Sequence, residues 1–93
     1  MSRPRRPRRL RFNPEVVYFK PRGVPMRGLK EVVLGRDEVE ALKLYQVDEM
    51  DQKEAAKEMG VSQPTFGRIL MRAERKVSRA LILGMAIRIE DGE

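Results

Sequence analysis

Gln63, Thr65, Arg68, Arg72, Arg75 and Lys76 stand in one stretch of a 93-residue chain and share one kind of chemistry. Amides, hydroxyls and guanidinium or ammonium groups bond phosphate oxygens and base edges. None of them is a ready nucleophile or general base. The chain has no Cys and no His, which removes thiol chemistry, imidazole catalysis, disulfides and ordinary zinc ligation. Asp48, Glu49 and Asp51 have the oxygens to hold Mg²⁺, but they fall where one predicted helix ends and the next begins, and capping accounts for them. No enzyme, cofactor or metal is expected.

The elements that must position these groups are two helices and a sharp turn. Asp51 suits the N-cap of a helix and Glu54 its capping-box partner; Gly60 suits the left-handed turn that stops it. Ser62 then caps a further helix with Pro64 in its first turn, where the missing N–H costs little. Counted from Gln52, Ala56, Gly60, Val61, Ser62, Phe66 and Ile69 fall at offsets of 4, 8, 9, 10, 14 and 17. That is the helix-turn-helix pattern: a small residue at the crossing, glycine at the turn, an apolar plug after it, then a cap and two inward side chains. With Phe66 and Ile69 inward, Gln63, Pro64, Gly67, Arg68 and Arg72 (or Met71) face outward. That face is the one to enter a major groove, Gln63 pairing with adenine and Arg68 with guanine, while Gly67 leaves room for the bases. Thr65, Arg75 and Lys76, with Arg72, are placed for phosphates.

Around this motif the chain divides into a basic arm (1–11), an extended segment and loop (12–35), and a helix-turn-helix domain ending in a strand (36–93). Ser2 to Arg11 holds six arginines, two prolines and one leucine, too little apolar surface to offset ordering, and is expected to be disordered. Val16 to Phe19 and Leu29 to Leu34 read as strands on either side of a Pro- and Gly-rich loop. A first helix is predicted from about Arg36 to Gln46 on the stripe of Val39, Leu42 and Leu44 with Ala41 and Tyr45, with Asp37, Glu38 and Glu40 in its first turns at the positive end of its dipole. The third helix keeps its stripe to Leu83, Gly84 ends it, and Met85 to Glu90 alternates as a strand does. The expected fold is mainly α: a three-helix helix-turn-helix core with short N- and C-terminal strands.

Charge follows the same division. From Met1 to Lys30 ten Lys or Arg oppose Glu15 alone, whereas Glu31 to Val61 carries four basic against nine acidic residues. Ser62 to Leu83 returns to five against Glu74 alone, within a net charge of +6. Positive charge gathered in an arm and one helix implies a polyanionic partner. Arg5, Arg6, Arg8 and Arg9, kept extended by prolines, suit phosphates or a narrow A·T-rich minor groove.

The stretch VSQPTFGRILMRAERKVSRAL resembles the last helix-turn-helix (region 4) of bacterial sigma factors, with Gly60-Val61-Ser62 and Ala73-x-x-Lys76-Val77 at matching places. Nearly the whole chain is similar to a family of short prokaryotic proteins of unknown function that are predicted to bind DNA from this motif. The shared marks are the Arg-Pro-rich start, Phe19-Lys20-Pro21, VVLGRDEVEALKL, DQKEAAKEMGVSQPTFGRIL and the IRIEDG ending. Gln63 stands where Arg is usual, so no base preference carries over at that position, and Gly35 stands where Ser or Thr would cap.

Sequence-specific binding of double-stranded DNA by a transcriptional regulator is the expected function. The alternative is general nucleic-acid binding, RNA included, dominated by the arm; five Phe and Tyr and no Trp offer little stacking surface for it. A cytoplasmic homodimer without a membrane partner is expected, since no apolar run approaches the roughly 20 residues of a bilayer span. Leu81, Ile82 and Leu83 point in three directions, and Leu70 and Met71 add apolar surface, so the distal helix and terminal strand suit a dimer interface. The competing expectation is that the strand segments fold over these residues within one chain.

Overall fold

A computed structural model describes residues 18–25 and 27–90 of the chain. The arginine arm, and with it Arg5, Arg6, Arg8 and Arg9, lies outside the described residues, as do Val16 and Val17. Three helices, α1 (Arg36–Leu42), α2 (Gln52–Met59) and α3 (Gln63–Leu83), build the core. Phe66 is the largest fully buried side chain, and the small residues Ala41, Ala55 and Ala56 let the helices close around it with Leu44, Ile69 and Leu70. Tyr45 meets Phe66 with ring centroids 6.5 Å apart and planes tilted by 57°, within the range aromatic pairs favour. Leu70, expected to add exposed surface, is buried in this cluster, since the inward stripe of α3 is wide enough to include it. Met71 is exposed.

The first helix does not run regularly to Gln46. After Leu42 it widens into a π-helical turn, Lys43–Val47. The Asp48 N–H donates to the Lys43 carbonyl at 2.8 Å, five residues back, and Lys43 Nζ meets the Asp48 carboxylate at 2.7 Å over the same interval. An ion pair at five-residue spacing matches a π turn and has no counterpart in a 3.6-residue period. Glu49 then takes a left-handed conformation (φ 61°), and the Met50 N–H returns to the Leu44 carbonyl at 3.0 Å.

The cap of α2 is reciprocal. Asp51 Oδ1 accepts the Glu54 N–H at 2.8 Å, and Glu54 Oε1 accepts the Asp51 N–H at 3.3 Å. Gly60, at φ 72° and ψ 32°, reverses the chain, and the Val61 N–H closes on the Ala56 carbonyl at 3.0 Å. α3 begins three residues after Gly60.

Three short strands form one sheet in the order β1 (Tyr18–Phe19), β3 (Ala86–Ile89), β2 (Glu31–Leu34). β3 is central, antiparallel to β1 and parallel to β2, with Glu31 opposite Ala86 and Leu34 opposite Ile89. A parallel pair needs a long crossover, and here all three helices supply it. Within the stretch 12–35, β1 and β2 thus join a sheet whose central strand comes from the far end of the described residues. β3 shows no alternation of exposure, being flanked on both edges. The strands thus pair within one chain. Among the described residues Leu81, Ile82 and Leu83 remain exposed beside these strands.

Replacing Asp51 by Ala removes one half of the α2 cap and is expected to cost about 1 kcal/mol. A urea titration measures it; an unchanged midpoint would remove the cap from the forces that hold the turn.

Candidate nucleic-acid interface

The exposed start of α3 is organised by hydroxyls. Ser62 Oγ accepts the Thr65 N–H at 3.2 Å and donates to Thr65 Oγ1 at 3.0 Å. Arg68 Nη2 donates to that same Thr65 Oγ1 at 3.2 Å. The cap thereby reaches the guanidinium of Arg68 through a single half-buried threonine. Thr65, expected at a phosphate, has its hydroxyl engaged twice, which makes it an orienting group for Arg68. Gln63 and Pro64 are exposed beside it. Gly67 is partly exposed, and a Cβ there would lie 3.5 Å from Gln52 Oε1, an ordinary contact. Gln52 is the first residue of α2, and its place beside Gly67 could not be read from spacing alone.

Further along α3 the buried stripe of Phe66, Ile69, Leu70 and Ala73 leaves Pro64, Arg68, Met71 and Arg75 on the opposite side at about 100° per residue. Of the two alternatives for the open face, Met71 occupies it. Arg72 is turned toward α1, where its Nε donates to Glu38 Oε2 at 2.7 Å and its Nη2 lies 3.9 Å from Asp37. Lys76 Nζ meets Glu38 Oε1 at 2.9 Å and donates to the Val33 carbonyl of β2 at 2.7 Å. Arg72, whose side chain stays about half exposed, and Lys76, expected at bases or phosphates, are thus both paired with Glu38 in this structure.

Glu38 is the residue that sequence reasoning misplaced. Its place with Asp37 and Glu40 in the first turns suits it to the dipole of α1, yet it is 2% exposed. One oxygen, Oε1, also accepts the Gly35 N–H at 2.8 Å, which is half a capping box, glycine having no side chain to return the bond. Burial pushes the Glu38 carboxyl up, but the Gly35 N–H, Lys76 and Arg72 outweigh it and hold the group below the usual value. A signal was present: Glu38 lies on the same helical stripe as Ala41, Leu42 and Tyr45 and so had to point inward.

The cations left on α3 without a carboxylate partner among the described residues are Arg68, Arg75 and Arg79, all exposed. Spacings of seven and four residues keep them in one stripe. Among the described residues no group of three or more acidic residues is arranged to hold a metal; Asp51 caps α2 and Asp48 pairs with Lys43. No helix among them is long and apolar enough to cross a membrane.

The family model described as a protein of unknown function, DUF134, matches residues 1–93. The chain belongs to this family. A UPF0251 protein of Halothermothrix orenii is 48% identical over 93 residues, covering all of this chain and 69% of its own. UPF0251 proteins of Desulforudis audaxviator and Moorella thermoacetica are 49% and 51% identical over 92 residues, with 60% and 62% of their lengths matched. The chain thus spans about 60 to 70% of the length of these DUF134 relatives. No solved structure matches the chain.

Because the folded-state value of Glu38 is depressed, its contribution to stability is full above the unfolded carboxyl value of 4.5 and is lost as pH falls through the lower folded value. Glu38→Gln is expected to lower stability at pH 7 by about 1–3 kcal/mol and to flatten the acid limb of stability against pH. Thermal melts of parent and variant between pH 7 and 3 measure it. Parallel curves would mean that the carboxylate does not carry the linkage.

Proposed function

We propose that this protein binds double-stranded DNA sequence-specifically through the start of α3 and acts in transcription regulation. The observation that carries the proposal is Arg68, exposed at the head of the second helix of a glycine-turned pair and tethered by Thr65 to the Ser62 cap. A guanidinium held at one edge of a helix start needs little further ordering to meet guanine bidentately in a major groove. Gln63, one residue beyond the cap, presents the amide that suits adenine. Arg75 and Arg79 continue the positive stripe for phosphate oxygens, whereas Arg72 and Lys76 remain tied to Glu38. Backbone contacts of this kind give affinity that falls with added salt, and the basic arm adds to it.

Arg68→Ala is expected to weaken the preferred duplex by about 1–3 kcal/mol and to relax selectivity at the base it meets. Fluorescence anisotropy on the preferred and a scrambled duplex at fixed salt tests this. Equal losses on both would assign Arg68 to the backbone and leave the reading without its main support.

Gly67→Ala separates folding from binding. An interior helical glycine costs roughly 0.5–1 kcal/mol against alanine, and the added Cβ meets only ordinary contact, so the variant is expected to melt higher. If bases approach this position closely, the same methyl lowers affinity for duplex DNA. A more stable variant with undiminished affinity would show that no base comes near residue 67.

A further inference from the structure

We infer that the C-terminal end of α3 and the adjoining strand β1 form a self-association surface, and that its occupant is a second copy of this chain. Leu81, Ile82 and Leu83 are 73%, 81% and 59% exposed although β1, β3 and β2 pair beside them. Tyr18 and Phe19 of β1 are exposed as well, and a groove of about 270 Å³ runs between Phe19, Pro21, Ala80, Leu81, Met85 and Ile87. Five large apolar side chains exposed on neighbouring elements exceed what isolated surface residues need to explain.

The shape of this surface favours a copy of itself over a different partner. It carries both a projection and a recess: Ile82 stands out from the helix, and the apolar groove opens beside its neighbour Leu81. A two-fold contact is isologous, so whatever one copy inserts the other inserts in return. Here each Ile82 enters the groove of the other copy. Charge permits it, because Ala80 to Ile87 contains no ionisable residue and the cation that lines the groove, Lys20, donates its Nζ to the Val24 carbonyl at 2.5 Å. A partner of opposite charge would find only Lys20 in this groove to recognise.

The position also fits the proposed function, on which this part of the inference rests. The 21 residues of α3 span roughly 30 Å, with Arg68 near one end and the apolar surface at the other. Two such helices meeting at their C-terminal ends can hold their starts up to about 60 Å apart, a range that includes the roughly 34 Å of one turn of duplex DNA. A side-by-side pairing along the whole helix would hold them only about 10 Å apart. One helix pair reads a short half-site, and the second copy completes it.

Sedimentation equilibrium of the full chain without DNA tests the surface independently of any DNA reading. The parent is expected at twice 10.8 kDa at micromolar concentration. Ile82→Glu and, separately, Leu83→Glu should each return it to a single chain's mass while melting at the parent's temperature, since both side chains are exposed and neither belongs to the core. A parent of one chain's mass at a hundred micromolar overturns the inference, as does a dimer that folded forms of both variants retain. If the parent is dimeric and the variants are not, but no duplex is preferred, the dimer stands and the DNA proposal fails.

Discussion

One carboxylate ties the molecule together. Glu38 sits at the junction of β2 and α1 and receives the Gly35 N–H, the Lys76 ammonium and the Arg72 guanidinium. Lys76 bonds the Val33 carbonyl in the same reach, so strand, first helix and long helix meet at a single acid. A buried carboxylate with fewer donors would be costly, and with these three it joins the buried stripe of Phe66, Ile69, Leu70 and Ala73 in setting the rotation of α3 about its own axis. That rotation decides which residues α3 shows to solvent. Arg72 and Lys76 turn to Glu38, and Arg68, Met71 and Arg75 face out.

α3 accordingly carries three kinds of work along its length. Its first two turns hold the Ser62, Thr65 and Arg68 chain of hydrogen bonds. Its middle is anchored by Glu38 and by the packing of Phe66, Ile69, Leu70 and Ala73. Its last turn is apolar and uncovered. On the proposed reading these are contact, support and association, in that order. The parallel β2–β3 pair supports the same arrangement from behind, since β3 follows directly on the end of α3 and β2 leads directly into α1.

Much of this was legible in the sequence where local rules dominate. The Asp51 and Glu54 box, the Gly60 turn, the Ser62 cap and the Gly84 stop each rest on residues within a few positions of one another, and all four form as expected. What was not legible depends on distant partners. Nothing near Arg72 or Lys76 announces Glu38, more than thirty residues earlier, so both cations looked available to a polyanion. The π turn depends on a Lys43–Asp48 pair that falls outside the helical period, and the parallel register of β2 on β3 joins the two ends of the helical core. Family membership adds the reach of the pattern, covering the whole chain, without adding a function.

The proposal that α3 reads DNA bases is tested most directly by selecting bound sequences from a pool of random duplexes at near-physiological salt. The expected result is enrichment of a short motif in two inverted copies about one helical turn apart. Recovery of duplexes no different from the starting pool, by protein that still retains them at low salt, would contradict it and leave only electrostatic binding to the DNA backbone.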